Sequence, residues 1–405
     1  MRRCTTVTIR QANIGKKLIL TGFIDEYTKI VRLFIDLMWS QNGYQKYGAK
    51  KHIDQVKSQT WLSITSIQCA VKQASAIVRG TRLKNDQRQY RYNLLLEEGK
   101  TKHAARLLEI IEKNKISKPV IKNVNPELDY RFIDTYLNKN NFFDGWIKIQ
   151  SIGNKQIIWI PFKRTIHFNK LYAKGGLRPG LRLFRNKVQF NFKTEEPAKR
   201  DYGNTLGLDM GIKKVFVSSD GQMSSQDKNG WDLTEIQNRL KARKKGSKNF
   251  KQTQQHQKNY INWTINRLNL DGIKYLHIED LKNVKKGRKC SRFLQHWCYP
   301  LIKGKLAARC EETGVQLTLI NPAYTSQRCS QCGWVQKSNR YGELFKCKVC
   351  GYAMDADLNA SVNIGLNLPI LNRERLAGVN RTGFYWNTVG EAPTVPHYPK
   401  LSRFS

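Results

Sequence analysis

Apolar and polar positions keep a period of two at the start of the chain, then the 3.6 of a helix, then two again. Residues 4–11 set Thr5, Val7 and Ile9 against Thr6, Thr8 and Arg10, a β-branched alternation that predicts a strand. Leu20, Ile24, Tyr27, Val31, Phe34 and Met38 then recur at spacings of three and four, with Lys29 and Arg32 off the stripe, and predict a long helix packed on a core. Helical patterning continues through 61–78 and 92–111, joined by a Lys/Arg-rich connection over 79–91. From 118 to 192 the alternation returns, as in Ile157, Trp159 and Pro161 against Ile158, Ile160 and Phe162. Leu181–Phe184 and Val188–Phe192 flank Arg185-Asn186-Lys187 as a hairpin. The first strand would be orphaned beside helices, so it is expected to join this later sheet, with the helices as an insertion.

After a polar link over 194–204 the pattern changes again. Thr205–Ile212 reads as a strand, 213–218 returns as a second, a charged helical region spans 233–267, and Ile273–Leu281 is another strand. A helix over 299–313 and a strand over 315–320 follow, so this part reads as an α/β sheet. The expected organisation is a first β strand over 1–17, a helical unit over 18–115 and the rest of the β unit over 116–203. An α/β domain over 204–324 and 353–368 then encloses a cysteine module over 325–352. Residues 369–405 carry Pro and Gly without periodicity and are expected to be poorly ordered.

Charge narrows the partners. The 405 residues hold 71 Lys plus Arg against 31 Asp plus Glu, a net charge of +40 that recurs along the whole chain. A surface this basic suits a polyanion and predicts salt-sensitive binding to DNA or RNA; the plainer readings are an RNA binder of ribosomal type or a host whose proteins are basic throughout. Lys16, Lys17 and Asp25 interrupt the first apolar runs, and no segment approaches the ~18 uninterrupted apolar residues of a membrane span. The expectation is a soluble, intracellular protein with no membrane partner.

Cysteine spacing supplies the sharpest chemistry. Cys329-x-x-Cys332 and Cys347-x-x-Cys350, fourteen residues apart, have the spacing of a zinc ribbon in which four thiolates close a tetrahedral site and leave no open position. One structural Zn²⁺ is expected, holding a knuckle that carries Arg328, Lys337, Arg340, Lys346 and Lys348 towards phosphates. Cys4, Cys69, Cys290, Cys298 and Cys310 lack paired spacing and read as buried thiols.

Three acids fall at the ends of different elements. Asp209 follows Leu206 and Leu208 on one strand, Glu279 follows Leu276 and Ile278 on another, and Asp357 opens a helix after the ribbon. Converging, they would hold two Mg²⁺ ions about 3.5 to 4 Å apart and hydrolyse phosphodiesters. Each has a plainer reading: Asp209 as a turn residue before Gly211, Glu279 with Asp280 as a solvated strand end, Asp355 or Asp357 as a helix N-cap. Two basic clusters, Arg239–Lys251 and Lys282–Arg292, flank the Glu279 strand as candidate phosphate contacts, although charge runs are usually solvated faces.

Gly-Leu-Asp209-Met-Gly, Ile-Glu279-Asp-Leu, Tyr324-Thr-Ser-Gln-Arg-Cys-Ser-Gln-Cys-Gly333, the second C-x-x-C-Gly and Asp-Ala-Asp357-Leu-Asn-Ala-Ser-Val-Asn-Ile, in that order, resemble the TnpB transposon-encoded nucleases and the miniature type V CRISPR effectors related to them. The motifs cover roughly the C-terminal half; the first 200 residues match in layout only. The resemblance implies a multidomain α+β protein, with an RNase H-like (RuvC) nuclease domain interrupted by the zinc ribbon and a wedge-like β-barrel carrying a helical recognition insertion. It implies catalytic acids at Asp209, Glu279 and Asp357 and an arginine near the active site at Arg340. It also implies a guide RNA as partner, and double-stranded target DNA carrying a short adjacent motif. The helical segment between the first two acids is compact, and Ala360-Ser361 stands where the family usually has Ala-Ala.

The function expected is RNA-guided cleavage of both DNA strands by one two-metal centre, of transposon or CRISPR type. The alternative is a guided DNA-binding repressor. An actin-like kinase shares Asp-x-Gly on its first hairpin, but the second glycine-rich phosphate hairpin is missing and the ribbon would be unexplained. Monomer and homodimer are both open.

Overall fold

The computed structural model describes residues 1–40, 50–113, 116–137, 142–281, 297–366, 368 and 383–386. Two compact units divide the chain, Met1–Glu195 and Glu196–Ser405. Among the described residues no helix is long and apolar enough to cross a membrane.

In the first unit, β1 (Arg2–Thr8) is followed by helices α1 (Ile14–Ser40), α2 (Lys50–Lys57), α3 (Ile64–Glu97) and α4 (Thr101–Lys113). Strands β2 (Glu127–Leu128), β3 (Ile133–Leu137), β4 (Gly145–Ile149) and β5 (Ile158–Phe162), helix α5 (Ile166–Ala173), and strands β6 (Gly175–Leu183) and β7 (Lys187–Thr194) complete it. The strands form two sheets, β1-β7-β6-β2 and β3-β4-β5. β1 pairs antiparallel with β7 along its whole length, Arg2 opposite Lys193 and Thr8 opposite Lys187, so the first strand does join the later sheet across the helices. The stripe from Leu20 to Met38 is buried.

Two local readings fail here. The basic stretch 79–91 is not a connection: α3 runs through it unbroken. Lys, Arg and Gln are good helix formers, and one Gly80 costs only about 1 kcal/mol, so charge alone does not end a helix. Burial of α3 stops at Val78, leaving its second half solvated. Helix α5 interrupts the alternation expected over 118–192; it is only eight residues long, and Thr165 caps it by accepting the Phe168 N–H at 3.1 Å.

The second unit centres on one sheet of β8 (Asn204–Asp209), β9 (Val217–Ser218), β10 (Ile273–Glu279) and β11 (Gln316–Ile320), in the order β11-β10-β8-β9. β8, β10 and β11 are parallel and β9 is antiparallel to β8. Helices α6 (Leu233–Ala242) and α7 (Lys248–Arg267) connect β9 to β10, and α8 (Tyr299–Thr313) connects β10 to β11. The cysteine module supplies β12 (Trp334–Val335), β13 (Arg340–Tyr341), β14 (Leu344–Lys346) and β15 (Ala353–Asp355), and α9 (Ala356–Gly365) follows. Within the segment expected to be poorly ordered, β16 (Phe384–Tyr385) pairs with β12 and buries Phe384 and Trp386, apolar anchors that the Pro/Gly content hid. The Lys282–Arg292 cluster and Cys290 lie outside the described residues.

Candidate active site and metal centre

The register of two neighbouring strands brings the first two acids together. Leu208 lies opposite Ile278 in the parallel β8–β10 pair, so Asp209 and Glu279 follow side by side at the carboxyl ends. Side chains alternate along strands, so Asp209 and Glu279 share a face with Gly207 and His277, themselves a register pair. Helix α9 seats on that face. A Cβ at Gly207 would lie 2.0 Å from the Ser361 carbonyl oxygen and 2.3 Å from the Gly365 nitrogen, so only glycine admits this approach. His277 Nδ1 lies 3.0 Å from the Gly365 oxygen.

At the other end of α9 is Asp357. Asp355 is the N-cap, its Oδ1 accepting the Asp357 and Leu358 N–H groups at 2.9 and 3.0 Å. Capping thus accounts for Asp355 and leaves the Asp357 carboxylate free for other partners. Arg340, on β13, donates from Nη2 to Asp357 Oδ1 at 2.8 Å, and Lys214 Nζ lies 3.8 Å from Asp357 Oδ2 and 3.5 Å from Asp355 Oδ2. Glu279 is buried, not a solvated strand end: its Oε1 accepts the Thr325 hydroxyl, and its backbone oxygen accepts Tyr299 Oη at 2.8 Å.

The three acids share an electrostatic environment. Burial, then the charges of Glu279 and Asp357, push the Asp209 carboxyl up to about 8, against the opposing pull of Arg340. Burial also raises Glu279, opposed by the Thr325 hydroxyl and by Arg340. Perturbation of this kind clusters at sites built for chemistry, because folding gains nothing from pressing like charges together. Oxygen ligands under mutual repulsion suit a hard divalent cation, whose charge removes the repulsion. Lys214 and Thr325 were not singled out from the sequence. Thr325 lies within a motif, but only coordinates reveal its bond, and Lys214 looks like any other lysine of a basic chain.

The four cysteine sulfurs all lie within 4.8 Å of one another, with Cys329–Cys350 at 3.7 Å and Cys332–Cys347 at 3.6 Å, and could hold a metal ion. Each pair sits on a tight turn: Gly333 N–H donates to the Cys329 oxygen and Gly351 N–H to the Cys347 oxygen. Lys337, Lys346 and Lys348 are exposed, as expected of phosphate contacts. Arg328 is not. It is 5% exposed and spends its guanidinium on the Trp386 oxygen at 2.7 Å, Asn363 Oδ1 at 2.8 Å and the Cys329 oxygen at 3.2 Å, because the turn into the ribbon is buried against α9. Asn359 and Asn363, on α9, each donate from Nδ2 to the Arg328 oxygen at 2.8 Å. The module and the helix bearing Asp357 are therefore one hydrogen-bonded piece. Of the unpaired-spacing cysteines, Cys69 and Cys310 are buried, Cys298 is half-buried and Cys4 is exposed, contrary to the uniform burial expected.

In the first basic cluster, Lys241, Lys244, Lys245, Lys248 and Lys251 are exposed around the α6–α7 turn. Arg239 lies over the Trp231 ring at 3.7 Å and is engaged in packing.

Comparison with known proteins agrees with the resemblance read from the motifs. The family model "Cas12f1-like, TNB domain" matches residues 300–364. A CRISPR-associated endodeoxyribonuclease Cas12f1 of Sulfoacidibacillus thermotolerans is 40% identical over 119 residues, 29% of this chain and 27% of that protein. A putative RNA-guided DNA endonuclease, InsQ of Escherichia coli K12, is 31% identical over 195 residues, 39% of this chain and 48% of that one. The matches thus span less than half of these relatives' length. In fold, the chain is similar to the mini-RNA-guided endonuclease CRISPR-Cas_phi3, with a TM-score of 0.50, 13% identity, and coverage of 90% of this chain and 92% of that one.

Proposed function

We propose that this chain is an RNA-guided DNA endonuclease of the TnpB or miniature type V kind, with one RuvC-like centre that cuts both strands of a target paired to a guide RNA. The observation that carries the reading is the electrostatic coupling of Asp209, Glu279 and Asp357 on three different elements beside Arg340. The strand order, with one antiparallel and two parallel partners around β8 and β10, supports an RNase H-like domain. The relatives' names as endonucleases, together with the presence of all three acids here, support guided cleavage over guided repression.

Asp209, Glu279 and Asp357 would hold two Mg²⁺ ions. When bound, such a pair activates a water molecule and stabilises the leaving 3′ oxygen of a phosphodiester. The chain's own residues prepare for this. Thr325 holds Glu279, α9 brings Asp357 in on the sheet face that Asp209 and Glu279 share, and Arg340 and Lys214 supply positive charge that also suits a phosphate. The four cysteines would hold one Zn²⁺: a Zn–S bond of about 2.3 Å gives tetrahedral sulfur–sulfur edges of about 3.8 Å, close to the separations here. Zinc in that site is architectural. The first unit is read as the wedge-like β-barrel with its helical recognition insertion, which would hold guide RNA and read the target-adjacent motif.

The test is expression with the native flanking DNA, sequencing of RNA that copurifies, and Mg²⁺-dependent cutting of a matched target, with Asp209→Ala as control. RNA encoded beside the gene and cutting lost in the variant are expected. A preparation without RNA would defeat guidance, and binding without cutting would make the chain a repressor.

A further inference from the structure

The outer face of the β3-β4-β5 sheet carries large aromatic side chains that the core does not use. Tyr136 on β3 is 45% exposed and Trp159 on β5 is 39% exposed, while Ile133, Ile147, Ile149, Ile158 and Ile160 of the same strands point inward and are buried. Register explains the placement: Tyr136 lies opposite Trp146, which lies opposite Pro161, and Lys148 lies between Asp134 and Trp159. The Tyr136 and Trp159 rings meet above the central strand with centroids 5.2 Å apart and planes tilted by 34°. Cations cover this layer. Lys148 lies 5.9 Å from the Trp159 ring, Lys16 lies 5.3 Å from that of Trp146, and Lys163 lies 4.1 Å from the exposed Phe142 ring. Asp134, 3.9 Å from Lys148, is the one acid on the three-strand face.

An open cleft of about 360 Å³ borders Tyr136. Its far wall is the irregularity in β6 between Leu177 and Leu181, where Gly180 has φ +103. That conformation suits glycine, and a Cβ there would sit 2.9 Å from the Leu128 oxygen. The bulge lifts the exposed Arg178 to the rim.

Exposed aromatic rings on a sheet, interleaved with cations, match a partner that has flat π faces and negative charge. That is the chemistry of unpaired nucleotides, whose bases stack on rings while the phosphates meet Lys and Arg. An apolar protein partner would instead strip water from Lys148, Lys163 and Arg178 without compensation. We infer that the β3-β4-β5 face is a stacking platform for unpaired nucleotides of a bound RNA strand, with Tyr136 and Trp159 as the rings and Lys148, Lys163 and Arg178 as phosphate contacts. The inference rests on the guided reading for the identity of the RNA, and its test separates the two.

Two measurements on the full-length protein decide it. Ultraviolet crosslinking of the copurified ribonucleoprotein, followed by peptide mapping, is expected to join RNA to Tyr136 or Trp159. Fluorescence anisotropy of an oligouridine of about ten nucleotides, within the usual site size, is expected to show roughly tenfold or greater loss of affinity for Trp159→Leu and Tyr136→Leu. Trp159→Phe, which keeps a ring, should retain affinity within about threefold. Melting curves of each variant identify any that misfold, and the two Leu variants stand independently. If the Leu variants bind oligouridine as well as the Phe variant does, or crosslinks in an RNA-loaded particle avoid both rings, the platform is wrong even though guidance stands. Crosslinks that appear only when single-stranded DNA is added assign the face to DNA and overturn the inference. Absence of copurified RNA defeats the guided reading, while the oligouridine series still decides the face.

Discussion

The sulfurs of Cys329, Cys332, Cys347 and Cys350 lie within 4.8 Å of one another, and among the described residues no carboxylate group of three closes to that span. Asp209 and Glu279 instead follow side by side on neighbouring strands and Asp357 comes from α9, with Arg340 and Lys214 beside Asp357. The cysteine site is made by two tight turns in one short segment, so its ligands are neighbours before any tertiary structure forms. The acid site is made by a strand register, a helix seated on a glycine and a module that reaches back with an arginine. Local construction gives four sulfurs close enough together to hold a metal ion. Long-range construction presses carboxyl groups together, with Arg340 and Lys214 of the protein beside Asp357.

That contrast breaks most severely at Asp209. Asp209→Ala should lower target cleavage on the order of a thousandfold or more while leaving guided DNA binding in place, as gel assays of cutting and of binding with the same complex would show. Retained cutting would remove the acid from the centre.

Cys347→Ser comes next, because the module and α9 are one hydrogen-bonded piece. Loss of metal, measured by atomic emission, should be accompanied by about a hundredfold loss of cutting and an earlier unfolding step, since structural zinc contributes folding energy directly. Mg²⁺ removal by chelation should be different: activity disappears and returns on adding the ion back, with the fold intact.

Gly207→Ala tests the seat of α9. Its new methyl would meet backbone on two sides, so a loss of about 1–3 kcal/mol of stability is expected, read as a lower melting temperature together with weakened cutting. An alanine variant as stable as the parent would show that α9 does not press on β8 as described.

The smallest effects sharpen the electrostatic half. Thr325→Val removes a hydrogen bond to the charged form of Glu279, so cutting should fall about tenfold and the acid limb of its pH profile should move to higher pH. Asp209 titrates higher when folded, near 8, than its ordinary 3.8. The folded chain therefore holds a proton that the unfolded chain has released, and the carboxyl's effect on stability becomes more unfavourable as pH rises from about 4 to 8. Without divalent ions, the melting temperature of the parent relative to Asp209→Asn should fall from pH 5 to pH 8. Mg²⁺ should reverse that difference.

Much of this was legible in the sequence, and the limits have physical causes. The cysteine spacing, the acids at strand ends and the return of β1 to the later sheet follow from period and spacing, which are local properties. Lys213 to Ser218 reads correctly as a returning strand only at Val217–Ser218, since the turn before it takes up the rest. Arg328 misled because an arginine in a basic chain looks like a phosphate contact until its carbonyl partners are seen. The α3 helix misled because a solvated helix has no apolar stripe to announce it. Gly207 reads as a weak point in a strand, and only the approach of α9, more than 140 positions later in the sequence, gives it a purpose.

The most direct test of the central claim is anomalous diffraction from crystals soaked in Mn²⁺. Peaks flanked by the carboxylates of Asp209, Glu279 and Asp357, with Arg340 drawn off Asp357, are the expected result. Mn²⁺ bound elsewhere, with the three acids untouched in a complex that still cuts DNA, would contradict it.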